Sequence, residues 1–144
     1  MTGLAQSSLS GTYCSRLSRL DGGPDGGRQV TDNVPAIELK PTYDGYLDVV
    51  MHGDRAGTAA FVDGTEVEFS LSDTARLITE SGVWDRRPIR LMSCSTGQGD
   101  FAQELADRIN APVYAPSDIL EVRDDGSTFV HTPGAWRRFE PHPR

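Results

Sequence analysis

Ile89-Arg90-Leu91-Met92-Ser93-Cys94-Ser95-Thr96-Gly97-Gln98-Gly99, followed by Phe101, Ala102, Leu105, Ala106 and Ile109, is the stretch on which the fold turns. The apolar run after Pro88 is a short strand, Ile89 to Ser93, and the polar, glycine-containing turn that follows leaves Cys94 at its tip. The apolar residues then recur at three-and-four spacing, which predicts an amphipathic helix ended by Asn110 and Pro112. Strand, turn and helix in that order form half of a βαβ unit. The other half lies on both sides of it. Upstream, Tyr46 to Met51 carries Leu47, Val49, Val50 and Met51, suits a strand buried on both faces, and ends at His52-Gly53. Downstream, Val113 to Ala115 begins a third strand. Ser70-Leu71-Ser72-Asp73 reads as a capped helix start, and Leu71, Ala75 and Ile78 share a face, so a helix is expected from about 71 to 81, stopped by Gly82. Alternating strands and helices imply a parallel three-stranded core with helices packed on it.

β excursions decorate this core. Ala36 to Lys40 alternates, and Thr58 to Val62 and Thr65 to Phe69 flank Asp63-Gly64, a two-residue hairpin signal for a primed turn. Ile119 to Val122 and Thr128 to His131 form a last hairpin around Asp124-Asp125-Gly126, closing the sheet region. The fold class is therefore α/β, a small parallel-core sheet with flanking helices and β-hairpin excursions. The domain proper begins near Val34 and runs to residue 144. Residues 1 to 33 are rich in Ser, Gly and Asp, include Asp21 to Gly27 (DGGPDGG), and read as a flexible or loosely docked lead-in, with a short helix around Tyr13 to Leu20 as the docked alternative.

Composition narrows the function. With 144 residues, 14 basic and 21 acidic side chains and a net charge of −7, the chain is about one domain and lacks the basic footprint of a general nucleic-acid binder. No stretch approaches the roughly 18 apolar residues of a membrane span, and the polar start has no secretory apolar core. The two cysteines, Cys14 and Cys94, form no C-x-x-C pattern. They are expected as free thiols far apart, with activity indifferent to reducing agent. One disulfide between them is the alternative.

Reacting groups in an open parallel sheet gather at the carboxyl ends of the strands. Here neighbouring strands deliver His52 and Cys94 to one rim. A thiolate attacks carbonyl carbon once an imidazole takes its proton, so Cys94 is the candidate nucleophile and His52 its acid/base. Gly53, without a Cβ, lets a substrate approach, and the Gly53 and Cys94 N–H groups are the candidate oxyanion donors. Either residue alone reads as a packed cysteine or a hydrogen-bonded rim histidine. Ser93, Ser95 and Asp118 are placed along the primary pocket, where an inward Asp118 favours a basic P1 side chain. Asp63, Glu66, Glu68, Asp73 and Glu80 read as solvated faces. His52, His131 and His142 lack zinc spacing, so no metal and no cofactor are expected. Ser95 to Gly99 lacks the lysine of a phosphate-binding loop. Trp136-Arg137-Arg138-Phe139 reads as an apolar clamp on the sheet with its arginines in solvent.

A hydrophobic strand ending in His-Gly, then one ending in Ser-Cys before a helix, resembles the caspase-like (clan CD) cysteine peptidases, which include caspases, legumains, gingipains and the self-cleaving domains of large bacterial toxins. Val50-Met51-His52-Gly53, Pro88 to Gly97, Phe101 to Ala106, Pro112 to Asp118 and Trp136 to Pro141 are similar to modules at the C-termini of bacterial RHS-type and other polymorphic toxins. The likeness spans Gly45 to Pro141, about two thirds of the chain. It implies a caspase-like fold, His52 as general acid/base, Cys94 as nucleophile, and the backbone of Gly53 and Cys94 as the oxyanion site. It implies a thiol hydrolase, foremost an endopeptidase with a protein substrate, carried as a bacterial toxin or effector module into a target cell and paired with a cognate immunity protein. The chain is much shorter than a caspase and has no basic strip for inositol hexakisphosphate, so caspase dimerisation, zymogen processing and that activator are not implied. Two alternatives stay open: the same dyad acting on a non-protein substrate as a transferase or small-molecule hydrolase, and a non-catalytic protein-binding module.

Overall fold

The computed structural model describes residues 11–13 and 37–143. The central sheet is built from β2 (Glu38–Pro41), β3 (Leu47–Val50), β7 (Ile89–Met92), β8 (Val113–Pro116) and β11 (Trp136–Phe139), in the order β11-β8-β7-β3-β2. Its middle three strands are parallel, with Val49 opposite Leu91 and Ile89 opposite Val113, while both edge strands run antiparallel. The protein is thus mixed α/β with a mixed sheet, and more strand than helix among the described residues. Every residue of β3 is buried because both sheet faces are covered. On one face Leu47, Val49 and Leu91 pack with Phe101, Leu105 and Ile109, and on the other Val50 and Met92 pack with Tyr13, Leu120 and Val122. The period of two puts alternate residues of the same strand into two different cores.

The described helices are α1 (Leu71–Thr79) and α2 (Phe101–Ile109). Ser70 and Asp73 close a reciprocal capping box, Asp73 N–H donating to Ser70 Oγ at 3.0 Å and Ser70 N–H to Asp73 Oδ2 at 3.2 Å. α1 ends with Glu80 as its C-cap and Gly82 at φ +82°, and α2 ends on Asn110 in the left-handed region. Among the described residues no helix is long and apolar enough to cross a membrane.

Two small three-stranded sheets flank the centre. β4 (His52–Asp54), β5 (Gly57–Val62) and β6 (Thr65–Phe69) form one, and the β5-β6 turn has positive φ at both Asp63 and Gly64, as a primed turn requires. β9 (Leu120–Val122) lies between β10 (Thr128–Val130) and β1 (Gly11–Thr12) in the other. Here the structure departs from the sequence reading. The strand expected to run through Met51 to His52-Gly53 leaves the central sheet after Val50, and His52 pairs with Ala59 instead. The last hairpin does not extend the central sheet but covers one of its faces. Trp136–Phe139 is a paired edge strand whose two arginines are exposed, Arg138 bonding Tyr114 Oη and Glu140. Of the lead-in, Gly11–Tyr13 is bound into the fold with Tyr13 wholly buried. The rest of the 1–33 reading, the Tyr13 to Leu20 helix included, lies outside the described residues.

One ion pair locks the central strands. Arg90 Nε and Nη2 donate to the two oxygens of Asp48 at 2.8 and 2.9 Å, across the register that sets Asp48 opposite Arg90. Asp48 is buried, so Asp48→Ala leaves a partly buried guanidinium without its counter-charge and is expected to lower stability by about 3 kcal/mol. Urea unfolding measures this, and a loss below about 1 kcal/mol would show that solvent already screens the pair.

Candidate active site

Parallel pairing of β3 with β7 sets Val50 beside Met92, and two residues further along each chain stand His52 and Cys94. Ser93 fastens the two strand ends together. Its Oγ donates to Met51 O at 2.6 Å and lies 3.2 Å from His52 O, and the side chain is buried. Ser93 was expected along a substrate pocket; its hydroxyl instead bonds the backbone that carries the histidine. Gly53 packs against the same corner so closely that a Cβ there would stand 2.8 Å from Thr96 Cγ2 and 2.9 Å from Ser93 Cβ. Only glycine fits without displacement.

The amides at these two strand ends share one acceptor. Gly53 N–H and Cys94 N–H both donate to the carbonyl oxygen of Tyr13, at 2.9 and 3.1 Å. Two convergent backbone donors on one carbonyl oxygen form a concentrated positive site that strengthens as charge develops on that oxygen. Tyr13 follows β1, which pairs antiparallel with β9, Gly11 opposite Val122 and Thr12 opposite Glu121. Its ring fills a pocket made with Val50, Met92, Cys94, Leu120 and Val122. Burial, and then the Glu38 carboxylate, push the Tyr13 phenol above its ordinary range, so it stays neutral.

The His52 ring is wholly buried, 6.1 Å from the Tyr13 ring and edge-on to Phe61 at 5.6 Å between centroids. Among the described residues neither ring nitrogen has a hydrogen-bond partner. Burial lowers its pKa to about 4 against an opposing pull from the Glu66 carboxylate, so the imidazole is neutral at neutral pH. An orphaned buried imidazole is costly for a fold and calls for a role.

Two expectations are corrected at Cys94. The sequence predicts a free thiol at an open rim, but Cys94 is 1% exposed and disulfide-bonded, and its Sγ accepts a hydrogen bond from Leu120 N–H at 3.1 Å. The one other cysteine of the sequence, Cys14, adjoins Tyr13 and lies outside the described residues. Sequence spacing carries no information on nearness in space, which is why the bond was not expected. Activity indifferent to reducing agent is therefore no longer the expectation.

Ser95 and Asp118 meet through backbone, Ser95 N–H donating to Asp118 O at 3.0 Å with Ser95 at φ +59°. Asp118 Oδ1 accepts from Ile119 N–H at 2.8 Å, so that oxygen caps its own chain. Its position gives no support to a basic P1 side chain, because the residues clustered with Cys94 are apolar and Asp118 is not among them. Tyr13, Phe61 and Leu120 are the site neighbours that sequence reasoning missed. The adjacency of Tyr13 to a cysteine was the one available signal.

A family model described as a domain of unknown function (DUF8616) matches residues 24–130. That span contains His52, Cys94 and β9 but not β1. No curated protein and no solved structure matches the chain.

Proposed function

We propose that this chain, which belongs to the DUF8616 family, is a thiol hydrolase of caspase-like architecture, acting as an endopeptidase with Cys94 as nucleophile and His52 as acid/base. The observation that carries the reading is the convergence of Gly53 N–H and Cys94 N–H on a single peptide carbonyl oxygen. The parallel β8-β7-β3 core, with histidine following one strand and cysteine its neighbour, supports the caspase-like assignment. The likeness to polymorphic-toxin modules supports an effector role with an immunity protein as partner.

The mechanism belongs to the reduced, open form. Disulfide-bonded Cys94 has no thiolate, and an imidazole held near 4 is too weak a base for a thiol of ordinary pKa near 8.5. Opening admits water and moves His52 back toward its ordinary value of 6.5, where it accepts the Cys94 proton. The thiolate then attacks the scissile carbonyl, and the two amides hold the oxyanion. Removal of one such donor typically costs about 3 kcal/mol of transition-state stabilisation. His52 returns its proton to the leaving amine, and water releases the acyl-enzyme.

In the reduced chain at pH 7, iodoacetamide is expected to modify Cys94 at least about tenfold faster than in His52→Ala, because the imidazole supplies the thiolate. Equal rates would contradict the dyad. The disulfide itself favours one rival, a non-catalytic binding module in which Cys94 serves only as a staple. In that case Cys94→Ala lowers stability, and reduction exposes no thiol of raised reactivity.

A further inference from the structure

We infer that the segment Gly11–Tyr13 lies in the peptide-substrate groove as a tethered substrate mimic, so that β9 is the edge on which a substrate strand pairs and the pocket filled by the Tyr13 ring selects an aromatic side chain at P1. The inference rests on the thiol-hydrolase reading and gives that site its substrate class and its control. Three separate observations place the segment as a substrate would lie. The Tyr13 carbonyl occupies both amide donors, Gly53 and Cys94. The residues before it run antiparallel to β9, Gly11 opposite Val122, which is how an extended peptide adds to a sheet edge. The side chain of the residue that owns the carbonyl, the P1 position by definition, is wholly buried among Val50, Met92, Leu120 and Val122.

Without β1, β9 would be an edge strand with unpaired amides and carbonyls, open to another chain. The span shared with the family, 24–130, holds the dyad and this edge but not the strand that covers it. The mimic is not cleaved because the nucleophile is blocked at the same point: the Cys94 sulfur is in a disulfide. A dithiol reductant opens that bond with two electrons and two protons, forming two thiols while the dithiol is oxidised to its own disulfide. The chain is then latent in an oxidising compartment and competent in a reducing one. After reduction the strand still competes with substrate, because it remains part of the same chain.

The test uses the full chain carrying Cys14→Ser, which removes the only other cysteine and leaves Cys94 as a thiol. Capped tripeptide acyloxymethyl ketones ending in Tyr, Arg or Asp are compared for the rate at which they label Cys94, read by mass spectrometry. The Tyr probe is expected to react at least about tenfold faster than the other two, since an apolar pocket rejects a charged side chain. Its labelling is expected to strip hydrogen-exchange protection from the amides within Gly11–Tyr13 that bond β9, because probe and strand occupy one groove. Adding Tyr13→Gly weakens the competitor and is expected to speed labelling by roughly tenfold more. Arg or Asp labelling as fast as Tyr, or unchanged protection within residues 11–13, would overturn the mimic while leaving the hydrolase intact. The exchange result needs no second substitution, so it stands even where Tyr13→Gly does not fold. If no ketone labels Cys94 faster than in the same chain carrying His52→Ala while iodoacetamide still reaches it, the hydrolase reading fails and this inference with it.

Discussion

His52→Leu is expected to give a more stable protein whose peptide turnover is lowered by orders of magnitude. The wild-type ring is wholly buried, and among the described residues both nitrogens are unpartnered, so folding strips two polar atoms of water with no described bond in return. Leucine is apolar and slightly larger than histidine, so it removes that penalty at the cost of a little added volume, with an expected net gain of about 1 kcal/mol at pH 7. Losing the acid/base is expected to lower turnover by roughly 10²–10⁴-fold. The pH dependence gives the same residue an independent signature. Its pKa is about 4 in the folded chain against 6.5 as the ordinary value, so between those two values the unfolded chain binds a proton that the folded chain refuses. Stability from this group is complete above pH 6.5 and is lost as pH falls toward 4, by about 3 kcal/mol at most. Urea unfolding at pH 7 and pH 4.5 reads both effects. His52→Leu should be flatter across that interval than wild type. A leucine variant less stable at pH 7, with an unchanged slope, would mean that the imidazole is partnered in solution and not held in reserve.

Gly53→Ala carries the second large effect. The added Cβ would lie 2.8 Å from Thr96 Cγ2 and 2.9 Å from Ser93 Cβ, in a corner where both neighbours are buried. Neither neighbour is the free end of a long side chain. The strand ends must part, and an expected loss of about 1–3 kcal/mol follows from overpacking. Parting them also turns the Gly53 N–H away from the oxygen it shares with Cys94 N–H, so turnover by the reduced protein is expected to fall about 10²–10³-fold, the range for one lost oxyanion donor. A variant that loses stability but keeps its turnover would show that the converging amides serve packing alone.

Much of this architecture can be read from local signals. The β3, β7 and β8 strands, the capped start of α1 at Ser70 and the Asp63-Gly64 turn each follow from periodicity or from a residue whose conformation is fixed by its own chemistry. Placing His52 and Cys94 at the ends of adjacent parallel strands needs only topology. What could not be read depends on contacts between distant parts of the chain. Gly11–Tyr13 has no alternation to mark it as a strand, and its partner Val122 lies at the other end of the domain. Cys94, disulfide-bonded and buried, packs in the same cluster as Tyr13 of that segment. Ser93 next to a candidate nucleophile suggests a substrate contact, but its hydroxyl bonds two backbone carbonyls on the neighbouring segment. The bend after Val50 that carries His52 into a second sheet is likewise set by its pairing with Ala59.

The most direct measurement of the central claim is a comparison of new protein N-termini in a cell lysate kept under a dithiol reductant and incubated with the wild-type chain or with Cys94→Ala. New termini that are absent with the variant and share one P1 residue, expected to be aromatic, are the predicted result. Identical termini in the two lysates, from a wild-type chain that is folded and whose Cys94 alkylates, would contradict it.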